Sequence, residues 1–226
     1  TRDIEEAAIV TLADAERREN LDVELELGGW IEGKVTGVGG KKLKADRDGD
    51  IGLVEVYALD AKGNELEWGY AIADIQADGT YRVGPLGTGT HKVEFYSFDN
   101  VHESEFWDNK RTWKSANTVD VVAPVGTTDV NATLEYAAKV SVKPKAKKKR
   151  KVDFSVTVKA NKKAASGKVA VYRGNKKIKT VKLNKKGKAT IKISKQPKGK
   201  HTYEVRYLGS TKAAPSTKRV KVTTKK

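Results

Sequence analysis

The sequence predicts an all-β chain with two β-sandwich domains in tandem, preceded by the last strands of a truncated similar domain. Three observations carry this prediction: apolar and polar residues alternate in short runs, turn residues separate the runs, and the charge changes sign part-way along the chain. A length of 226 residues allows two domains of ordinary size. Alternation with a period of two places one face of a strand in a core and the other in water.

The two halves of the chain carry opposite charge. The net charge of the whole chain is +16. Residues 1–137 contain 14 Lys/Arg and 27 Asp/Glu, a net charge of −13, whereas residues 138–226 contain 31 and 2, a net charge of +29. We therefore expect a domain boundary near Ala137–Ala138, with an acidic domain over 28–137 and a basic domain over 138–226.

The basic half shows the clearest strand pattern. At Val152–Lys159, apolar residues alternate with polar ones, and a glycine turn such as Lys186-Gly187 separates similar runs. The runs predict about seven short strands, at 140–142, 152–158, 169–171, 181–183, 189–193, 203–207 and 220–222. Their number and spacing are typical of a two-sheet sandwich.

Three blocks of the basic half, Gly167–Tyr172, Gly187–Ile191 and Gly199–Gly209, carry a family resemblance. Together they resemble the bacterial Ig-like repeats of secreted and surface proteins, over essentially all of 138–226. The resemblance implies an Ig-like sandwich with an extracellular, structural or adhesive role. Lysine covers the predicted outer faces more densely than that family requires.

The acidic half is also predicted to be a sandwich. Asp78-Gly79 lies between two runs typical of strands and predicts a tight hairpin, because Gly adopts the positive φ that such turns need. Strand-like runs occur at 30–36, 54–58, 77–83 and 89–95. This succession resembles the carboxypeptidase regulatory-like domain, a transthyretin-like sandwich close to the collagen-adhesin B-type repeats.

Residues 1–27 are interpreted through an internal repeat. Residues 8–25 align with 117–134 at an offset of 109, so that Val10 falls on Val119 and Leu25 on Leu134. The second copy supplies the last strands of the acidic sandwich. We therefore expect 1–27 to be the C-terminal strands of a preceding sandwich repeat.

Catalysis is not predicted. The chain has no Cys, which excludes thiol nucleophiles and zinc fingers. His91 and His201 each follow a Gly turn, where the family pattern predicts a structural residue, and the stretch after His102 lacks the second His that a zinc-binding helix needs at i+4. We expect a non-enzymatic protein without a cofactor.

A calcium site is a weaker candidate. Asp46, Asp48 and Asp50 place three carboxylates at i, i+2 and i+4, a spacing that can direct hard oxygen ligands at one ion. An EF-hand loop, however, needs Gly at its sixth position and Glu at its twelfth, which here are Ile51 and Tyr57 counting from Asp46. The favoured interpretation is a polar loop between strands without metal.

Two further sites are weighed against structural alternatives. The aromatic residues Trp68, Tyr70, Phe106, Trp107 and Trp113 could bind sugars, but core filling or bracing of a loop is favoured. An internal Lys–Asn crosslink, as in related adhesin repeats, would use Lys34 and Asn131. Alternation instead places the Lys34 side chain in solvent.

The strongest functional signal is the cationic run Lys147, Lys148, Lys149, Arg150 and Lys151. It precedes a predicted strand, and lysine recurs outward on most later strands. A surface so strongly charged repels itself and implies a polyanionic partner. Lysine dominates over arginine, which suits diffuse contact with repeating phosphates or carboxylates better than reading of base edges.

These observations predict a structural or adhesive segment of a secreted or surface-anchored bacterial protein. Its basic module would contact an anionic cell-envelope polymer or polysaccharide, without sequence-specific binding of nucleic acid. No apolar run approaches the ~20 residues of a transmembrane helix. Two alternatives stay open: an accessory tail of a secreted hydrolase, and a subunit of an extracellular filament built by head-to-tail contact of acidic and basic halves.

Overall fold

The computed structural model describes residues 9–19, 21–22 and 24–224. Within these ranges the regular structure consists of strands and a short 3-10 helix at Trp113–Ser115. The chain groups into two compact units. One contains the described residues through Val35 with Asp50–Tyr96 and Ser104–Ala132, and the other contains Thr36–Gly49, Ser97–Glu103 and the described residues from Thr133 onward. Among the described residues no helix is long and apolar enough to cross a membrane.

Strands β1 to β9 form two sheets. One has the order β4-β1-β8, with β9 also paired to β1, and the other has the order β3-β2-β5-β6, with β7 also paired to β5. The bounds are β1 Gly29–Gly37, β2 Gly52–Leu59, β3 Glu65–Asp74, β4 Thr80–Leu86, β5 Gly89–Ser97, β6 Glu105–Phe106, β7 Val119–Val121, β8 Gly126–Thr127 and β9 Ala132–Leu134.

The first pair of sheets packs through alternate residues of each strand. Tyr81 of β4 and Phe95 of β5 lie in different sheets, and their rings meet edge to face at 5.8 Å between centroids. The Tyr81 hydroxyl donates to the carbonyl of Val130 at 2.7 Å, which satisfies the polar end of a buried ring. Ile31 and Val54 are fully buried, because alternate side chains of their strands point into this core.

The basic half forms a second pair of sheets. One has the order β10-β11-β12, with β15 also paired to β11, and the other has the order β14-β13-β16-β17. The bounds are β10 Ala138–Lys147, β11 Lys151–Ala160, β12 Lys163–Ala164, β13 Lys168–Arg173, β14 Lys176–Lys182, β15 Lys188–Ile193, β16 Gly199–Tyr207 and β17 Ser216–Thr224. The rings of Phe154 and Tyr203 meet across the two sheets at 5.3 Å.

The predicted all-β class is confirmed, and each of the seven strands predicted in the basic half is present. The inward positions of β11, Val152, Phe154, Val156 and Val158, are at most 1% exposed. Their neighbours in sequence are exposed or half-buried. The alternation in the sequence therefore marks the core face of this sandwich correctly.

The prediction of a tight hairpin at Asp78-Gly79 is correct for the turn and wrong for the pairing of the strands beside it. The turn exists: Gly79 has a φ of +90°, and its N–H donates to the Gln76 carbonyl at 2.8 Å. The strands on either side, β3 and β4, belong to different sheets and are not paired. The Gly79 carbonyl instead accepts from Val35 at 2.8 Å, so the turn carries the chain from one sheet to the other.

The strands predicted within 1–27 are absent from the described part of that segment, which contains no strand at 9–19, 21–22 or 24–28; residues 1–8, 20 and 23 lie outside the described residues. Val10 and Leu25 are 46% and 84% exposed, whereas their counterparts Val119 and Leu134 are 4% and 0% exposed. A strand without ladder partners is not stable in water. That the segment belongs to a preceding sandwich stays a prediction.

A hydrogen-bonded loop follows β5. The Asp99 carboxylate accepts from the backbone N–H groups of Val101 at 2.8 Å and His102 at 3.0 Å, and it lies 2.6 Å from His102 Nδ1. Burial acts to raise the pKa of Asp99, but these hydrogen bonds outweigh it and hold the pKa below its ordinary value. The His102 ring lies against Tyr136, with centroids 4.9 Å apart.

Replacing the Asp99 carboxylate should lower stability in a pH-dependent manner. We expect Asp99→Asn to reduce the free energy of unfolding by about 1–3 kcal/mol at pH 7, because a charged acceptor of several hydrogen bonds is lost. A depressed pKa stabilises the fold above the unfolded pKa of about 4 and loses that effect as pH falls through the folded value. The deficit of the variant should therefore shrink in denaturation curves taken towards pH 2.

The matched control is Asp74→Asn, at an exposed position of β3. It should change the free energy of unfolding by less than about 0.5 kcal/mol at either pH. An Asp99→Asn deficit that is equally large at pH 7 and pH 2 would contradict the assigned role of the ionised carboxylate.

Candidate polyanion-binding site

The predicted cationic run forms the hairpin that joins β10 and β11. Lys147 pairs with Lys151 across the hairpin, and Lys148, Lys149 and Arg150 form its tip. All five residues are exposed. The carbonyl of Arg150 accepts from the backbone N–H of Gln196 at 3.0 Å, a contact that ties the tip to the rest of the sandwich.

The tip holds two cationic residues in an unfavourable backbone conformation. Lys149 has a φ of +57° and Arg150 a φ of +51°. Residues with a Cβ rarely adopt this region, where Asn and Gly are favoured, and such a conformation costs about 1–2 kcal/mol. The turn thus presents lysine and arginine at positions where a more stable turn would use other residues.

Lysine also occupies most outward positions of the sheet formed by β10, β11 and β15. In the strand register, Lys139 lies opposite Lys159, Lys147 opposite Lys151, and both Lys145 and Lys192 opposite Asp153. Outward lysines occur at Lys139, Lys143, Lys145, Lys147, Lys151, Lys159, Lys188 and Lys192. The positive charge of the hairpin tip therefore extends over this face of the sheet.

The two acidic side chains of the basic half are both paired with cations. Lys147 Nζ lies 2.5 Å from the Asp153 carboxylate. That hydrogen bond, together with the nearby charges of Lys192 and Lys145, holds the pKa of Asp153 below its ordinary value. On the other sheet, Arg206 and Arg219 contact Glu204 at 2.6 Å and 2.8 Å. The acids bind some of the cations and leave a large excess of positive charge.

A groove that the sequence reasoning missed lies at the centre of the lysine-rich face. It has a volume of about 500 Å³, a floor that includes Val156 and Ala189, and a rim with two lysines. Its polar lining residues are Ser141, Lys143, Ser155, Thr157, Asn184, Lys188 and Thr190. The available signal was the placement of Ser or Thr at outward positions of three different strands.

The Asp46, Asp48 and Asp50 candidates lie in the loop between β1 and β2. Asp46 accepts a hydrogen bond from the backbone N–H of Asp48 at 2.8 Å. Asp48 and Asp50 are exposed, and Asp46 is half-buried. Among the described residues no group of three or more His, Asp or Glu side chains is arranged to hold a metal ion.

The aromatic residues of the acidic half divide between structural and exposed positions. Phe106 is buried and Trp113 is half-buried. Lys92 donates to the Trp113 carbonyl at 2.8 Å and lies 4.2 Å from the centre of its ring, while Tyr57 meets that ring edge to face at 5.3 Å. Trp113 therefore braces its loop, as the favoured interpretation states, and Tyr70 is 60% exposed.

The remaining candidates have structural contacts. His91 is 2% exposed, and burial lowers its pKa below the ordinary value. His201 Nε2 lies 3.2 Å from the Lys198 carbonyl. The Asn131 side chain accepts from the backbone N–H of Lys34 at 2.7 Å, and Lys34 itself is exposed, as alternation predicts.

Comparison with known families supports the interpretation of the basic half. Residues 140–225 match the bacterial Ig-like domain family, group 3. The predicted resemblance of this half is thereby confirmed. No curated protein matches the chain.

Three solved structures are similar to the chain at low sequence identity. A DUF3823 family protein from Bacteroides ovatus is 15% identical, with 87% of this chain and 98% of that chain covered and a TM-score of 0.33. The major pilin subunit BcpA of Bacillus cereus is 12% identical, with 87% of this chain and 68% of that chain covered and a TM-score of 0.35. The major pilin SpaD of Corynebacterium diphtheriae is 15% identical, with 92% of this chain and 66% of that chain covered and a TM-score of 0.34. At these values no function carries over.

Metal should be dispensable for the fold. If Asp46, Asp48 and Asp50 form only a polar loop, neither a chelator nor millimolar calcium should move the melting temperature, because no bound ion stabilises the native state. The measurement is thermal unfolding followed by circular dichroism with and without each addition. A calcium-dependent rise of several degrees that Asp48→Ala abolishes would overturn the polar-loop interpretation.

Proposed function

We propose that the chain is a non-enzymatic structural or adhesive segment of a bacterial surface protein, and that its basic Ig-like domain binds anionic polymers of the cell envelope. The observation that carries the proposal is the outward face of β10, β11 and β15. There lysines surround a single acidic residue, Asp153, which Lys147 already neutralises. The match of residues 140–225 to bacterial Ig-like domains supports the extracellular setting.

The kind of charge favours a polymer with repeating anionic groups. Lysine presents a compact ammonium ion that attracts phosphate or carboxylate without a demand on geometry, whereas arginine prefers planar, two-point contacts. The charges lie on a rigid sheet, so they contribute together. A repeating polyanion can neutralise several of them at once and relieve their mutual repulsion.

The proposed tandem with a carboxypeptidase regulatory-like domain rests on the acidic half. Its strands form two sheets, as a transthyretin-like sandwich requires, and its described residues contain no group of three or more His, Asp or Glu side chains that could hold a metal ion. A domain without a catalytic constellation is suited to act as a spacer or an adhesive surface. We therefore propose that the acidic half carries the basic domain rather than performing chemistry.

Binding to polyanions should weaken steeply with salt. The full chain should bind heparin, teichoic acid and DNA without sequence preference, because each engaged phosphate or sulfate releases counterions. About four engaged charges on DNA correspond to a loss of about a hundredfold in affinity between 50 and 200 mM salt. Titration by fluorescence anisotropy at several salt concentrations measures the slope.

The matched pair of variants separates the hairpin tip from other surface cations. Lys149→Asn with Arg150→Gly removes two charges and also relieves the left-handed strain, so it should reduce the salt slope without lowering the melting temperature. Lys62→Ser with Lys114→Ser removes two exposed charges from the acidic half and should change neither. A wild-type chain whose affinity is the same at both salt concentrations would refute the proposal.

Head-to-tail assembly is a second candidate function, favoured by the exposed apolar residues before β1. Ile9, Leu25 and Leu27 are 91%, 84% and 78% exposed, although the segment matches a pattern that is buried in β7 and β9. Such residues gain stability if they join another sheet, since an unpaired extended segment can pair with a strand edge. The opposite charges of the two halves favour contact between the acidic half of one copy and the basic half of another.

Removal of residues 1–27 tests this assembly. We expect the full chain to form species larger than a monomer at low salt and the shortened chain to be monomeric, measured by light scattering at two salt concentrations. Leu21→Ser with Leu25→Ser tests the apolar contribution without shortening the chain. Monomers in every case, at either salt concentration, would leave only the polymer-binding function.

A further inference from the structure

The central groove of the lysine-rich face combines two chemistries. Ser141, Thr157 and Lys188 form one row across the sheet, and Lys143, Ser155 and Thr190 form the next. Each row thus contains two hydroxyl side chains and one lysine, and the lysines stand at opposite corners. Neighbouring strands are about 4.8 Å apart and successive outward residues about 7 Å apart, so each row spans about 10 Å.

Further lysines lie beyond both ends of the groove. Lys139 and Lys159 form the row on one side, and Lys145 and Lys192 flank Asp153 on the other. The outer rows lie six positions apart along β10, which corresponds to about 20 Å along the strand. The hydroxyl-lined groove therefore lies in the middle of a longer cationic track.

The floor and end of the groove are held in place by the fold. Val156 is 1% exposed, so the strand beneath the groove is anchored in the core. At one end the Asn184 side-chain oxygen accepts from the backbone N–H groups of Lys186 at 2.9 Å and Lys188 at 3.0 Å. These contacts fix the loop that leads into β15, whose first residue is Lys188.

From this arrangement we propose that the groove is a binding site for a linear anionic glycopolymer whose repeat carries both hydroxyl groups and a carboxylate or phosphate. This inference rests on the proposed binding of anionic polymers and identifies the surface and the polymer class. Lysines at opposite corners attract anionic groups, and the hydroxyls between them exchange hydrogen bonds with polymer hydroxyls. A polyanion without hydroxyls would use only the lysines.

The hydroxyls provide the selectivity for a hydroxyl-bearing polymer, because a polymer without hydroxyls leaves them without hydrogen-bond partners and this lowers its affinity. Ser and Thr hydroxyls both donate and accept, so they complement sugar hydroxyls in either role. DNA presents its charge at higher density and has no free hydroxyl groups along the chain, and this groove has no aromatic side chain on which a base could stack. The groove thus favours a carbohydrate polymer over DNA.

The test compares polyanions of the same charge chemistry with and without hydroxyls. Alginate and poly-L-glutamate both carry carboxylates, and only alginate carries sugar hydroxyls. The full chain should bind alginate about tenfold more tightly at equal charge and ionic strength, as one to two net hydrogen bonds imply. DNA of equal charge serves as the third probe.

A hydroxyl variant then locates the selectivity. Ser141→Ala, Ser155→Ala, Thr157→Val and Thr190→Val together keep every lysine and the strand preference of the sheet. This variant should lose the preference for alginate and retain the affinity for poly-L-glutamate. Thr157→Ser with Thr190→Ser keeps the hydroxyls and should behave as the wild type, which controls for repacking.

The outcomes separate this inference from the proposed function. A hydroxyl variant that keeps the full preference for alginate, or that loses affinity equally for both polymers, overturns the groove as a glycopolymer site while polyanion binding stands. Equal or tighter binding of DNA by the wild type overturns it as well. A wild-type chain that binds none of the three probes overturns the proposed function itself.

Discussion

The two-residue period of the strands in the basic half is the constraint on which its properties depend. Because successive side chains point to opposite faces, the strand over 151–160 can bury Val152, Phe154 and Val156 while its alternate residues stay polar. The edge-to-face contact of Phe154 with Tyr203 then joins the two sheets. A core of this kind tolerates a highly charged exterior, since the charges never enter the interior.

The charged exterior has an energetic consequence. With a net charge of +29 over 138–226, the folded domain opposes its own compactness through repulsion. Asp153 and Glu204 relieve this only locally, because each is held by cations beside it. The left-handed conformations of Lys149 and Arg150 add a further cost. The proposed polyanion would relieve the charge repulsion, although not the backbone cost of the turn, and this links the stability of the domain to its proposed role.

The sequence predicts the strands of the basic half well and the arrangement between strands less well. Alternation is a local signal, and it locates Val152–Lys159 and its equivalents. The sequence also predicts the turn at Asp78-Gly79. It does not predict which sheet the next strand joins, because the contact of Gly79 with Val35 brings together residues that are far apart in the sequence. The groove was missed for the same reason: Ser141, Thr157 and Lys188 become neighbours only through register.

In the proposed binding of an anionic glycopolymer, lysines and hydroxyls act over different ranges. At physiological salt, charges interact over about 8 Å, which is close to the spacing of about 7 Å between outward residues of one strand. Neighbouring lysines such as Lys143 and Lys145 therefore act as a group, and the loss of one is partly compensated by the others. A hydrogen bond from Ser155 or Thr190 acts at contact distance and has no such substitute. In the proposed complex, affinity is thus distributed over the face, whereas discrimination between polymers is concentrated in the groove.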